Sequence, residues 1–351
     1  MKVLHVAETI KGGVETYLRQ LCDCQQRNGI EPYLLCNENV SWLDASKQIS
    51  FSREARGLRA LWQLAKSYRR ALRDFDVDVI HLHGTFAGLI GRLPTMSPAN
   101  KPLIYCAHGW AYDRGDGLFR YAYMAVEWSL SFLCDSVVAI SAHDADAYVG
   151  AKNKLSLIEN AVVDLYPSPP AQPSRKTLLF VGRLDRQKGV DLLLQAYANH
   201  DFDFELLVVG EAVLGDIELG QVPDGVKFLG WLDQDEFIAL YSEVSALIAP
   251  SRWEGFGLVA IEAMSASKTI LAANVGGLTR LVDGSGGYLF DSTYEGVAAA
   301  LKHFDALSCE ELALAGQKAR AFYETNYRIE RLELELRQLY QQLLKQSTSM
   351  A

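Results

Sequence analysis

The sequence lacks several features, and each absence removes a class of protein. No stretch reaches the roughly 18 consecutive apolar residues of a spanning helix, so none is expected. Residues 1–7 are too short for the core of a secretion signal and hold no small-residue cleavage site, so a cytoplasmic protein is expected. The six cysteines (Cys22, Cys24, Cys36, Cys106, Cys134 and Cys309) form no C-x-x-C pair and no zinc-like spacing, and read as buried reduced thiols. A G-x-G-x-x-G fingerprint with its partner acid is missing, which argues against a nicotinamide-dependent oxidoreductase. Positive charge is also short. The formal net charge is −9, whereas a general nucleic-acid binder needs surplus cations to neutralise phosphates.

What remains is an ordinary globular composition, 49% hydrophobic and 22% charged over 351 residues. That length predicts two domains with cores large enough to need no disulfide or metal. The charge is unevenly divided. Residues 1–165 hold 18 cations and 18 acids, and residues 166–351 hold 16 and 25, so the whole deficit lies in the second part.

Short apolar runs alternate with helix-length segments throughout. The runs at 3–7, 33–36, 77–82, 103–107, 137–140 and 155–159 form one set, and those at 178–181, 206–209, 226–229, 246–249, 269–272 and 288–290 a second. Continuous apolar runs suit strands buried on both faces of a parallel sheet. The pattern predicts an α/β protein of two successive doubly wound, Rossmann-like domains, with ligands beyond the carboxyl ends of the strands, in a cleft between the facing sheets. Residues 166–174 hold four of the ten prolines and read as a linker. The division is then 1–165, linker 166–174, 175–328, and a Leu-spaced helix over 329–344 with a polar tail to 351.

The densest constellation is residues 250–262, P-S-R-W-E-G-F-G-L-V-A-I-E, directly after the strand 246–249. Gly255 and Gly257 permit a tight turn and a close backbone approach to a ligand. A helix starting there would aim its free N–H groups at an anion. Glu254 and Glu262 bracket the turn; the plainer reading is a Gly-rich helix entry with a solvated Glu. Residues 180–189, F-V-G-R-L-D-R-Q-K-G, form a second strand–turn–helix start. There Arg183 can grip phosphate oxygens with its planar fork and Lys188 adds a point charge, unless both are surface cations. Gly12-Gly13, after the first strand, is a weaker anion-cradling loop. His108-Gly109 follows the strand 103–107, where a His can meet a substrate hydroxyl or be a hydrogen-bonded structural residue. His81 and His83 alternate onto one sheet face, and with no third ligand nearby in sequence they predict no zinc. The D-x-D pairs at 76–78, 144–146 and 233–235 stand at a strand start and two helix starts and read as caps.

Residues 53–73 carry seven cations and one acid, with Leu58, Leu61, Trp62, Ala65 and Leu72 on the apolar side. A basic face with a Trp, running from Arg56 to Arg73, suits peripheral contact with an anionic membrane. A domain helix packing its apolar side on the sheet is the competing reading.

Together these motifs make the chain resemble family 4 of the retaining glycosyltransferases, which have the two-domain GT-B fold. The resembling residues are Gly12-Gly13-Val14-Glu15, His108-Gly109, Gly182-Arg183 with Lys188-Gly189, Glu254-Gly255-Phe256-Gly257 with Glu262, and Gly276-Gly277, in an order that spans almost the whole chain. The resemblance implies that Arg183 and Lys188 bind a donor diphosphate. It implies that Glu262 holds the nucleotide ribose, and that Glu254 with the Phe256-Gly257 backbone and Leu258 meets the donor sugar. Gly13 and Gly182 would line the donor phosphates, Gly12 and Glu15 the acceptor side, and His108 the reaction centre. It further implies a last helix crossing back to domain one, a UDP- or GDP-linked sugar as co-substrate, a saccharide or lipid-linked acceptor, and catalysis without metal or cofactor. The chain departs from the family pattern at Glu211-Ala212, Ser267, Thr269 and Leu278-Thr279-Arg280. A nucleotide-sugar 2-epimerase of the same fold, and a non-catalytic nucleotide-sugar binder, are the rival readings. Assembly of a cell-surface polysaccharide or glycolipid, at the inner face of the cytoplasmic membrane, is the expected setting.

Overall fold

The computed structural model describes residues 1–10, 12–51, 57–96, 98, 100–113, 117–170, 173–212 and 222–350, apart from the side chains at 58 and 348–350. The chain forms two compact units, Met1–Ala161 with Ile329–Ala351, and Val162–Arg328.

The first unit is built on a parallel sheet of β1 (Lys2–Ala7), β2 (Glu31–Cys36), β3 (Gln48–Ser50), β4 (Val79–His83), β5 (Leu103–Cys106), β6 (Ser136–Ala139) and β7 (Leu155–Leu157). Their spatial order is β3-β2-β1-β4-β5-β6-β7. The order reverses between β1 and β4, which makes the gap beyond their carboxyl ends the natural ligand position. Apolar side chains from β1, β4 and β5 share one core with Leu64, Tyr68 and Ala71 of the helix Leu58–Asp74. The second unit repeats the design with β8 (Thr177–Val181), β9 (Glu205–Val209), β10 (Val226–Gly230), β11 (Ala246–Ala249), β12 (Thr269–Ala273) and β13 (Tyr288–Phe290). Its order is β10-β9-β8-β11-β12-β13, with the reversal between β8 and β11. All twelve expected strands are present. The one the pattern missed is β3, three residues (Gln-Ile-Ser) at a sheet edge, too short and too polar to stand out.

Helix entries differ by place. The helices Gly13–Arg27, Val190–Ala198, Leu258–Ser265 and Leu278–Ser285 are each preceded by a glycine that offers no side-chain cap. Gln234–Leu240 and Cys309–Asn326 instead begin with full capping boxes, Asp233 with Glu236 and Ser308 with Glu311. A capping side chain occupies the N–H groups that an anion would otherwise take. These four helices therefore keep their entries open, as do Leu58–Asp74, Thr85–Gly91 and Leu118–Ser131, which also start at uncapped glycines.

Three expectations need correction. The break between the units lies at 161/162, not after 165. Val162 donates its N–H to Tyr327 O, Asp164 accepts from the Arg320 guanidinium, and Tyr166 is buried with its hydroxyl on Ile238 O. The start of the Pro-rich stretch is thus fastened to the second unit; Ala171 and Gln172 within it lie outside the described residues. The last helix runs over Ile329–Met350, since nothing in the polar tail breaks it, and it belongs to the first unit. Its Leu332, Leu336 and Tyr340 are buried on the side that meets the helix Gly13–Arg27. In the basic helix, Leu61, Ala65 and Leu72 do pack on the core, but Trp62 is 64% exposed on the other side, under the Lys66 ammonium. Arg53, Glu54, Ala55 and Arg56 lie outside the described residues.

Candidate active site

In the second unit, the loops after β8, β11 and β12 come together at the point of strand reversal. Glycines make this possible. Gly189 and Gly276 adopt left-handed backbones, and a Cβ on either would lie 2.0 Å from Pro250 O or 1.7 Å from Glu254 O. The loop after β12 can therefore touch the loop after β11 only through glycine. Hydrogen bonds fix the rest: Arg252 N–H donates to Gln187 O at 2.8 Å, and the Arg252 guanidinium takes both Asp191 carboxylate oxygens at 2.8 and 2.7 Å.

Within this frame Lys188 donates from Nζ to Glu254 Oε2, a partly buried ion pair. The backbone N–H of Lys188 is tied to Asp185 Oδ1 at 2.9 Å, which sets the stem beside Gly182. Arg183 stands at the rim, more than half exposed, on Gln187 Oε1 at 2.7 Å and Asp185 Oδ2 at 2.8 Å. Lys188, Glu254, Gly257 and Leu258 line one small open pocket with Val181, Ala249 and Leu278. The pocket sits at the uncapped entry of the helix Leu258–Ser265. Glu262, on the second turn of that helix, is 9% exposed. Phe256 is not at the pocket. It is 3% exposed and packs edge-on against Tyr327 at 5.7 Å. Ser267 has φ 56°, a left-handed backbone at the position where the resembled family often has glycine.

In the first unit, Gly12 caps the helix Gly13–Arg27 in a left-handed conformation, and its carbonyl accepts the N–H groups of Glu15 at 3.0 Å and Thr16 at 3.2 Å. His108 stands two residues past β5 with φ 55°, followed by Gly109 at φ 97°. This turn throws the imidazole back over the sheet rather than out beyond it. His108 Nε2 lies 2.9 Å from His83 Nδ1; His83 Nε2 lies 3.0 Å from His5 Nδ1; His5 Nε2 lies 3.0 Å from Gln25 Oε1. The Gln25 oxygen can only accept, so His5 carries its proton on Nε2, and the same direction then propagates. His83 donates from Nε2 to His5, and His108 donates from Nε2 to His83, which leaves His108 Nδ1 as an unprotonated acceptor. Burial holds His5 and His108 down to about 4 and pushes His81 and His83 well below the usual imidazole value, so all four are neutral.

The turn at His108 has a second anchor. Asp144 accepts the Gly109 N–H, and its carbonyl accepts Trp110 Nε1–H at 2.8 Å. Burial raises the Asp144 carboxyl to about 7. Ser141, not Asp144, caps the helix Ala142–Ala147, so this Asp was misread as a cap; Asp233 is a cap as expected. Sequence reasoning also passed over His5. It sits in register opposite His81 on the neighbouring strand, a pairing that alternation within one strand cannot reveal. With it, His5, His81 and His83 bring three imidazole nitrogens within 4.8 Å of one another, against the expectation that no third ligand lies nearby. Hydrogen bonds account for five of their six nitrogens, including His81 Nδ1 to Tyr340 Oη at 2.8 Å. Cys22, Cys24, Cys36, Cys106 and Cys134 are buried free thiols and Cys309 is partly so, as expected.

Residues 11–164 match the family model described as Glycosyltransferase Family 4, and residues 166–322 the model described as Glycosyl transferases group 1. The chain is 32% identical over 310 residues to an uncharacterized 41.2 kDa protein in the cps region of Klebsiella pneumoniae, covering 82% of this chain and 86% of that one. It is 28% identical over 320 residues to GDP-mannose:cellobiosyl-diphosphopolyprenol alpha-mannosyltransferase of Xanthomonas campestris, covering 82% of each. Its fold matches the crystal structure of Anabaena HepE in complex with UDP and glucose, with TM-score 0.81 and 20% identity over 97% of this chain and 100% of that one. Two matched halves, in chain order on two doubly wound units, place this chain in glycosyltransferase family 4, with the GT-B fold.

Proposed function

We propose that the protein is a retaining hexosyltransferase that moves a sugar from a UDP- or GDP-linked donor to a hydroxyl of a saccharide or lipid-linked acceptor, in the assembly of a cell-surface polysaccharide or glycolipid at the inner face of the cytoplasmic membrane. The observation that carries this reading is the Lys188–Glu254 pair at the uncapped helix entry. Relatives point the same way: the Xanthomonas enzyme is named for GDP-mannose and a diphosphopolyprenol acceptor, and HepE was crystallised with UDP and glucose.

The physical problem is a diphosphate that gains charge as it leaves. Lys188, Arg183 and the helix entry supply positive potential, worth most when fixed before the reaction. Without donor, Lys188 is held by Glu254. An arriving diphosphate competes for the ammonium and releases the carboxylate to accept hydrogen bonds from the donor sugar. The Phe256, Gly257 and Leu258 backbone would meet the same sugar, Gly13 and Gly182 the phosphates, and Glu262 the ribose. Gly12 and Glu15 are assigned to the acceptor side and His108 to the reacting sugar. The bond between the anomeric carbon and the diphosphate oxygen breaks, its electron pair leaving with the diphosphate. The acceptor oxygen attacks the same face of the oxocarbenium-like carbon, and its proton passes to the leaving phosphate oxygen. Configuration is thereby retained, and no metal or further cofactor is assigned a step.

The test is incubation with a panel of UDP- and GDP-sugars with and without chelator, following slow hydrolysis by proton NMR. Release of nucleotide with an unaltered sugar of unchanged anomeric configuration, unaffected by chelator, is expected. An inverted anomer, an epimerised sugar, chelator-sensitive release, or binding without any release would each overturn the reading.

A further inference from the structure

Three histidines stand where the core of a sheet ordinarily holds aliphatic side chains. His5 of β1 pairs with His81 of β4, and His83, two residues on, shares their face of the sheet. They are 0%, 0% and 2% exposed. Imidazoles are destabilising at that depth unless each nitrogen finds a partner. One does not: among the described residues, His81 Nε2 is buried without a hydrogen-bond partner. The rings crowd together, with centroids 4.2 Å apart for His81 and His83, 5.6 Å for His5 and His81, and 5.2 Å for His5 and His83.

One nitrogen from each ring lies within 4.8 Å of the other two. The outer hydrogen bonds say which. His5 uses Nε2 on Gln25 Oε1 and His81 uses Nδ1 on Tyr340 Oη, which leaves His5 Nδ1 and His81 Nε2 for an ion. His83 Nε2 is the nitrogen 3.0 Å from His5 Nδ1, and its Nδ1 is turned to His108 Nε2 at 2.9 Å. Nitrogens bound to one ion at about 2.0 Å stand roughly 3.3–3.5 Å from each other, inside the range these three already span. An imidazole that binds a metal ordinarily donates its other N–H to a fixed acceptor. All three have that acceptor, in Gln25 Oε1, Tyr340 Oη and His108 Nε2.

We propose that His5 Nδ1, His81 Nε2 and His83 Nε2 form a three-coordinate site for a soft monovalent cation, copper(I). The ligand set selects the charge. Among the described residues no carboxylate belongs to this cluster, so the charge of the ion stays uncompensated. The penalty for burying a charge grows with its square, so a dication such as zinc costs about four times as much as a monocation, and zinc also asks for a fourth ligand. Imidazole nitrogens suit copper. No proton has to leave. The ion replaces the hydrogen bond between His83 and His5, the His83 proton moves to Nδ1 and is donated to His108 Nε2, and His108 then carries its own proton on Nδ1. A second trio, His83, Cys106 and His108, would instead need a thiolate in the core. The inference does not rest on the transferase reading, because no donor or acceptor enters its test. That reading uses the metal-free form, so a chelator leaves turnover as it is.

The experiment is an anaerobic titration of the full chain carrying Cys309→Ser, which removes the one thiol that is not buried, with copper(I) in competition with bicinchoninate, equilibrated overnight. One equivalent should be held, with three nitrogen neighbours and no sulfur by X-ray absorption, and zinc should bind at least a hundredfold more weakly. Nitrogen chemical shifts of labelled histidine should show the His108 proton moving from Nε2 to Nδ1 while His5 stays protonated on Nε2. His81→Gln should weaken binding at least a hundredfold. Tyr340→Phe, which removes only a hydroxyl that holds a ligand ring, should weaken it about 10–100-fold. Cys106→Ser should stay within threefold of the parent. Circular dichroism checks that each variant is folded, and Tyr340→Phe carries the test where His81→Gln is not. Any one of these results sinks the proposal: no copper retained, sulfur among its neighbours, zinc bound as tightly, a His108 proton that stays on Nε2, or full affinity in Tyr340→Phe.

Discussion

Replacing Lys188 by methionine keeps the four-atom stem beside Gly182 and removes only the charge. Two free energies change, and the structure lets them be separated. An ammonium about 4 Å from a phosphate charge is worth on the order of 4 kcal/mol at an effective dielectric of 20. Removing one fixed positive contact to a developing oxyanion accordingly costs about 3 kcal/mol, or 10²–10³ in kcat. Stability changes less. The Lys188 and Glu254 side chains are 22% and 15% exposed, so the stranded carboxylate regains part of its hydration. About 1–2 kcal/mol is expected in urea unfolding. Adding Glu254→Gln should recover most of that stability, since the pair then disappears together, while turnover stays low. The assay is nucleotide release from the preferred nucleotide sugar at saturation, alongside the unfolding curves. Lys188→Met turnover within tenfold of the parent would refute the reasoning, whatever its stability.

Two further outcomes follow from the geometry. The His5 and His108 imidazoles should remain neutral, protonated on Nε2, at about pH 5.5, because burial holds both to about 4 against roughly 6.5 unfolded. Their contribution to stability is therefore present above the unfolded value and lost as pH falls through 4, with His5 alone accounting for roughly 2 kcal/mol between about pH 7.5 and 5. Asp144, raised to about 7, acts in the opposite sense over that window, so nitrogen chemical shifts of labelled histidine, rather than a melting temperature, are the readout. An imidazolium signal for His5, or His108 protonated on Nδ1, would break the proposed direction of the chain. Gly276→Ala should cost about 2–4 kcal/mol, since the residue is left-handed at φ 54° and its new methyl would meet Glu254 O. Urea unfolding within about half a kcal/mol of the parent would show that the contact relaxes freely.

The strands, the two-unit plan and the glycine-entered strand-to-helix turns were legible because each rests on local pattern. A buried parallel strand needs a continuous apolar run, and a helix mouth open to an anion needs glycine where a cap would stand. Both are written in neighbouring residues, as in 246–262. The charge asymmetry was equally plain, though its total of −9 hides the cations gathered at Arg183 and Lys188. Strand β3 was invisible because three polar-flanked residues at an edge carry no period.

The tertiary structure decided what depends on residues far apart in the chain. Register between β1 and β4 sets His5 beside His81, and a left-handed backbone at His108 turns its ring inward to complete the line from Gln25. Burial, not type, made Phe256 a packing residue and turned Glu127 inward. Sequence alone determined which elements form and where an anion can be met, because those follow from nearest-neighbour chemistry. Which polar side chains face one another, and which apolar ones meet solvent, was settled only when the sheets closed, because strand pairing joins positions that no local period connects.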